Sequence, residues 1–153
     1  MRRAELEVTG FNEIVGILRR ADTIRLGLHD APYPYVVPLS FAFEARDGRI
    51  ALYFHGASEG LKHELLARDP HVCAEADIFH GCREMPGGII TVYESFIGFG
   101  QCARIYGDEA AHGIDLLLER CGFAGYAYDA AALERTGVYR ITLERFTGKR
   151  RQV

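Results

Sequence analysis

The strand-like runs of this chain follow one another through turn signals more often than through helices, which points away from alternating β-α-β crossovers and toward an antiparallel sheet. T-I-R-L-G-L-H sets Ile24, Leu26 and Leu28 against Arg25, Gly27 and His29, the period of two of a half-buried strand. Y-V-V-P-L-S-F-A-F-E, from Tyr35, is rich in β-branched and aromatic residues and leads through the tight turn Asp47-Gly48 into R-I-A-L-Y-F-H-G. Residues 35–56 are therefore expected to form one hairpin. Pro38 cannot donate a ladder hydrogen bond, so a bulge or a sheet edge is expected there. Val72 to Phe79 and Ile89 to Tyr106 give two more strands, the second bent near Gly98 and Gly100. The loop G-C-R-E-M-P-G-G between them is expected to be irregular. G-V-Y-R-I-T-L-E-R-F is the last strand, followed by a basic tail, Thr147 to Arg151.

Helical spacing appears at the periphery. Phe11, Ile14, Val15 and Leu18 define a helix over residues 11–20 with Thr9 as N-cap; Ser58 caps a second over residues 58–68, closed by Asp69-Pro70. Asp108 to Cys121 is a third, ended by Gly122, and a short fourth is expected at 129–134. The sum is one domain over residues 1–153, mainly β with peripheral helices, best arranged as a six-stranded antiparallel barrel whose closure hides the strand edges.

A net charge of −3 provides no field for nucleic acid or anionic membranes, so neither is an expected partner. The start M-R-R-A-E-L-E lacks a signal-peptide apolar run and no stretch is long enough to span a bilayer; a cytoplasmic location is expected. Cys73, Cys82, Cys102 and Cys121 form no C-x-x-C pair; they are expected to be reduced and mostly buried, with no metal site.

The chemistry concentrates in Y-F-H-G-A-S-E-G-L-K, residues 53–62, where a strand runs through glycines into a helix start. Unsatisfied N–H groups and the helix dipole attract an anion there, Gly60 permits close approach, and Lys62 adds a full charge. The same residues also read as a turn followed by a solvated lysine. His55 is either a structural histidine or a hydrogen-bonding group and proton donor beside a ligand. Pro38 disturbs its ladder and, with Ser40 on the same face, either opens backbone groups to a planar heterocycle or marks a barrel corner. His63 and His112 fall on expected helix surfaces. No G-x-S-x-G, H-E-x-x-H or Walker loop is present.

P-Y-V-V-P-L-S-F, then L-Y-F-H-G-A-S-E-G-L-K, then V-Y-E-S-F-I-G-F-G resembles the pyridoxamine 5′-phosphate oxidase-like superfamily, and within it the nitroimidazole-reductase-like (Nim-type) flavin-nucleotide-binding proteins. The similarity runs from Arg2-Arg3 to the closing T-G-K-R. It implies a split β-barrel homodimer binding flavin mononucleotide (FMN). Carried over position by position, Pro38, Leu39 and Ser40 line the isoalloxazine ring, Phe54, His55 and Gly56 meet its edge and ribityl chain, and Lys62 meets the phosphate. Ser95 faces the cofactor near the dimer interface and Lys149 approaches from the C-terminal strand. Ser40 in place of asparagine, Ala74, and Phe96 in place of valine depart from the pattern around the substrate pocket. The resemblance implies an FMN-dependent oxidoreductase that reduces a small planar, nitroaromatic-like acceptor, with His55 as proton donor. The alternative is a non-catalytic flavin or haem module, a carrier or sensor, on the same barrel.

Overall fold

The computed structural model describes residues 3–152; Arg2, where the resemblance begins, lies outside them. A 3-10 turn (Ala4–Leu6) and strand β1 (Glu7–Val8) precede helix α1 (Phe11–Arg20). Then come β2 (Ile24–Leu28), β3 (Tyr35–Leu39), β4 (Ala42–Arg46), β5 (Arg49–Ala57), α2 (Leu61–Arg68), β6 (His71–Met85), β7 (Gly88–Ile105), α3 (Gly107–Arg120), α4 (Ala130–Arg135) and β8 (Thr136–Arg151). No described helix is long and apolar enough to cross a membrane.

Every strand pairing is antiparallel, in the order β3-β2-β6-β7-β8-β5-β4. β8 is long enough to pair β5 through its first half and β1 through its last residues. The two ends of this order, β3 and β4, are consecutive in the chain and separated only by Ser40 and Phe41. So short a link forces the sheet to curl until its edges adjoin, but β3 pairs with β2 and β4 with β5, and no ladder seals the cylinder. The result is a mainly β, antiparallel split barrel with peripheral helices.

The six expected strands resolve into eight because the run after Tyr35 is two strands and Glu7–Val8 adds another. The expected hairpin over 35–56 is accordingly corrected to β4–β5 alone. The chain turns at Ser40-Phe41 because the Phe41 ring is taken into the core, 1% exposed, and Pro38 finds the edge strand where a missing N–H is tolerated. Closure is corrected as well: β3 and β4 remain edges. The G-C-R-E-M-P-G-G stretch is not an irregular loop, since β6 and β7 continue through it and only Pro86-Gly87 turn; a register shift between Phe79 and Gly81 leaves His80 as the extra residue and keeps Gly81 paired with Val92. The basic tail is strand, not a solvated end.

Helix caps shift similarly. Gly10 and Gly60, not Thr9 and Ser58, are the N-caps of α1 and α2, and neither side chain of the expected pair caps its helix. Gly122, at φ +85°, follows α3 as expected. Two of the four cysteines, Cys82 and Cys121, are exposed, against the expectation of burial; among the described residues no cluster could hold a metal ion.

The barrel core joins Ile17 and Leu18 of α1 to Leu26, Leu39, Phe41, Leu52, Phe54, Phe96 and Ile141, and a smaller core under α3 holds Tyr53, Ile105, Ala110 and Val138. α1 is also tethered by charge. Glu94 on β7, 5% exposed, accepts from Arg20 of α1 and from Arg150 Nε at 2.6 Å on β8, and Arg150 reaches Glu13 at 2.9 Å. Burial pushes the Glu94 carboxyl up, but the two guanidinium groups outweigh it and hold it below its ordinary value.

Glu94→Gln leaves Arg20 and Arg150 short of their shared anion and is expected to lower unfolding free energy at pH 7 by about 2 kcal/mol, less than a fully buried pair because Arg20 is half exposed. The depressed carboxyl stabilises the fold above its unfolded pKa of about 4.3, and that contribution disappears as pH falls through the lower folded value. Urea titrations between pH 7 and pH 3 should show this acid loss in the wild type and a flatter profile in Glu94→Gln. Gly100→Ala should fold poorly, because a Cβ there meets the Thr142 carbonyl and lies 2.9 Å from Leu143 Cα; loss of a cooperative melt checks it.

Candidate functional site at the barrel split

β4 accompanies β5 only as far as the pair Ala42↔Tyr53, whereas β8 stays with β5 out to Ala57. From Phe54 to Ala57 one edge of β5 therefore has no described strand beside it, and the far edge of β3 has none either. Continuing the β4–β5 register two residues past Ala42 brings Ser40 level with His55. The edge of β5 from Phe54 to Ala57 and the far edge of β3 each keep backbone groups without a strand partner.

Side-chain directions divide these residues. Pro38 and Ser40 are exposed, while Leu39 points into the core and Phe54 is wholly buried, its ring stacked on Tyr139 with centroids 5.0 Å apart. Leu39 and Phe54 can meet a ligand in the opening only through their backbone. Ser40 also lines a small cleft with Arg19, Asp22 and Arg120 between the ends of α1 and α3.

At the end of β5 the chain enters α2 through Gly60, whose φ of +115° suits glycine, and no side chain caps the helix start. The His63 and Glu64 N–H groups donate to the Gly60 carbonyl, and those of Leu61 and Lys62 precede the helical ladder. Gly56 of β5 and Gly137 of β8 are register partners. A Cβ on Gly56 would lie 2.8 Å from Lys62 Nζ, and one on Gly137 3.2 Å from His63 Cε1. The two glycines open the floor on which α2 lays down Lys62 and His63; Lys62 Nζ settles 5.3 Å from the Phe54 centroid.

The electrostatics favour negative charge. Desolvation lowers the Lys62 pKa, opposed by Cys102 nearby. Desolvation and then the Lys62 charge lower His55, and desolvation, Lys62 and Arg104 lower His63. An anion beside Lys62 would favour its charged form and offset the desolvation.

The structure brings Phe54, His55, Gly56 and Lys62 together at the α2 start, whereas Pro38 and Leu39 lie on β3 and Ser40 follows it. Ser95 and Lys149 are elsewhere. They are register partners on β7 and β8, and Lys149 Nζ lies 5.5 Å from the Tyr93 ring centroid. Lys149 is eleven residues further along β8 than Val138, the partner of His55, roughly 35 Å of strand.

Sequence reading missed His63, Arg104, Tyr106 and Tyr139. His63, expected on a helix surface, instead hydrogen-bonds the Tyr139 hydroxyl through Nδ1, and both line a cleft of about 510 Å³ with Gly60, Cys102, Arg104 and Tyr106. One signal was available: β7 turns Phe96, Gly98, Gly100 and Cys102 inward and then continues that parity with the charged Arg104.

An antiparallel barrel left open at one seam, with a helix start that no side chain caps, defines a split-barrel protein. The chain belongs to the family described as pyridoxamine 5′-phosphate oxidase, whose sequence model matches residues 12–150. Among solved structures it is similar to a putative 5-nitroimidazole antibiotic resistance protein from Bacteroides thetaiotaomicron, at 26% identity and TM-score 0.85, over 94% of this chain and 86% of that one. It also resembles the flavocytochrome Anf3 from Azotobacter vinelandii, at 19% identity and TM-score 0.80 over 100% and 72% of the two chains. The FAD and haem binding protein from Mycobacterium smegmatis shares its fold at 19% identity and TM-score 0.80, over 96% and 74%. No curated protein matches the chain by sequence.

Gly56→Ala should displace the flexible end of Lys62 while leaving the fold intact, because the obstructed atom is a side-chain tip and not backbone. The expected outcome is an unchanged thermal midpoint to within a few degrees and a loss of anion affinity of about ten-fold, measured by titration with FMN.

Proposed function

We propose that the protein binds FMN at the barrel split and uses it to reduce a small planar acceptor of the nitroaromatic class. The observation that carries this is the glycine-floored α2 start, uncapped and flanked by Lys62, beside two free strand edges. The family membership and the likeness to a putative nitroimidazole resistance protein support it. The residues suit the cofactor: a phosphate meets the α2 N–H groups and Lys62, while the edge of a flat heterocycle meets the backbone of Pro38 to Ser40 and of Phe54 to Gly56.

Bound FMN supplies reversible transfer of one or two electrons. The chain's own part is orientation, exclusion of water by Leu39 and the Phe54–Tyr139 floor, and a proton from His55. The His55 imidazole is held below its ordinary value of about 6.5, so its charged form is populated only on the acid side. As proton donor it makes acceptor reduction fall as pH rises through that lowered value. His55→Gln should flatten this limb of the steady-state pH profile without abolishing the flavin spectrum.

Lys149 on β8 and its register partner Ser95 on β7 stand too far from His55 and Lys62 to join them within one chain, which favours a homodimer in which each copy lends this pair to the other's split. A monomeric mass in light scattering at micromolar concentration would refute the dimer. A cytoplasmic location accords with flavin turnover by cellular reductants.

Lys62→Ala is expected to weaken FMN by about ten- to a hundred-fold and riboflavin hardly at all, read by titration against flavin fluorescence. Equal losses for both ligands would remove Lys62 from the phosphate. A protein that stays colourless after incubation with FMN would remove the flavin altogether. FMN binding without turnover, using reduced nicotinamide and nitroaromatic acceptors, would favour the carrier or sensor reading.

A further inference from the structure

The cleft that His63 and Tyr139 line beside α2 holds charges of both signs that do not neutralise one another. Its volume of about 510 Å³ falls within the size range of small-molecule sites. Arg104 enters the lining from near the end of β7, Glu59 from the residues preceding α2 and Glu64 from the first turn of that helix. None of the three takes part in an ion pair among the described residues, with one another or with any other group. The titratable groups around them are neutral at pH 7. Desolvation lowers the His63 pKa and the charges of Lys62 and Arg104 lower it further, while burial pushes the Cys102 thiol up to about 12. One cation and two carboxylates thus share a single cleft without meeting.

The two ends differ in what they can hold. Arg104 Nε is buried with no hydrogen-bond partner, an unmet donor that costs free energy until an acceptor arrives, and a guanidinium fork matches the two oxygens of a carboxylate. Its carbon lies 5.4 Å from the Tyr106 ring centroid, and Tyr106 is 68% exposed, so apolar ring surface stands free beside the cation. Leu66 and Ala67 extend that apolar wall. At the other end an ammonium group, with three N–H donors, can serve both glutamates at once.

We propose that this cleft binds an aromatic α-amino acid, its carboxylate on Arg104, its ammonium toward Glu59 and Glu64, and its side chain against Tyr106. The site is separate from the flavin reading of the split and does not depend on it.

The test is calorimetric titration of the purified full chain with L-phenylalanine, with phenethylamine, which lacks the carboxylate, and with phenylpropionate, which lacks the ammonium. L-phenylalanine is expected to bind at least about ten-fold more tightly than either. Arg104→Gln is expected to weaken L-phenylalanine and phenylpropionate by about ten-fold and to leave phenethylamine within about two-fold. Joint replacement Glu59→Gln and Glu64→Gln should do the converse, weakening L-phenylalanine and phenethylamine alone. Both glutamates are exposed, so this second variant decides the matter even should Arg104→Gln disturb folding. Equal affinities for the three compounds, or phenylpropionate as tight as L-phenylalanine, would overturn the amino-acid site. So would L-phenylalanine binding that survives Arg104→Gln and is lost in Lys62→Ala, and so would the absence of saturable binding at millimolar concentration.

Discussion

Two residues, Ser40 and Phe41, join the outermost strands of the sheet, and most of the molecule follows from that link. A connection so short ties together the two ends of the order β3-β2-β6-β7-β8-β5-β4. With Phe41 drawn into the core and Pro38 unable to donate, the edges meet without pairing. The sheet is therefore curved like a barrel and interrupted like an open sheet, and the interruption falls where β5 outlasts β4. Unpaired backbone in a folded protein has to be met by solvent or a ligand, so topology leaves the seam with backbone groups to satisfy.

The helix start at the seam depends on small residues as much as on charged ones. Lys62 and His63 lie low over β5 and β8 because Gly56 and Gly137 face each other across the ladder. α1 is held differently: its apolar face enters the core, and Glu94 gathers Arg20 and Arg150 behind it. That buried carboxylate orients α1 against the last strand, which runs on to pair with β1.

Much of this was legible in the residues. Alternation at Ile24, Leu26 and Leu28 and the Asp47-Gly48 turn specified strands and a hairpin; Phe11 to Leu18 specified a helix, and Gly98 with Gly100 a bend. The strand-to-helix passage at residues 53–62 was legible as β5 running into α2, while its residues read equally as an anion site or as a turn before a solvated lysine. What could not be read was partnering. Nothing local says that residues 35–39 pair backward with β2 while 42–46 pair forward with β5, since both halves share one β-rich composition. The strands through Gly81 and Gly87 were hidden by residues that signal turns in isolation but are absorbed by a bulge and a two-residue turn in a long ladder. His63, Arg104 and Tyr139 come from three separate elements, and only the ladder of β7 with β8 and the seating of α2 bring them together.

The facing glycines carry an evolutionary implication. A gap has no chemical signature: a search for charged or aromatic residues would accept any chain that keeps Lys62 and His55, whatever stands at positions 56 and 137. Yet a single added methyl at Gly56 lands where the lysine's ammonium belongs. Descendants of this protein could therefore displace the lysine's tip through a neutral-looking substitution that leaves every conspicuous side chain in the sequence.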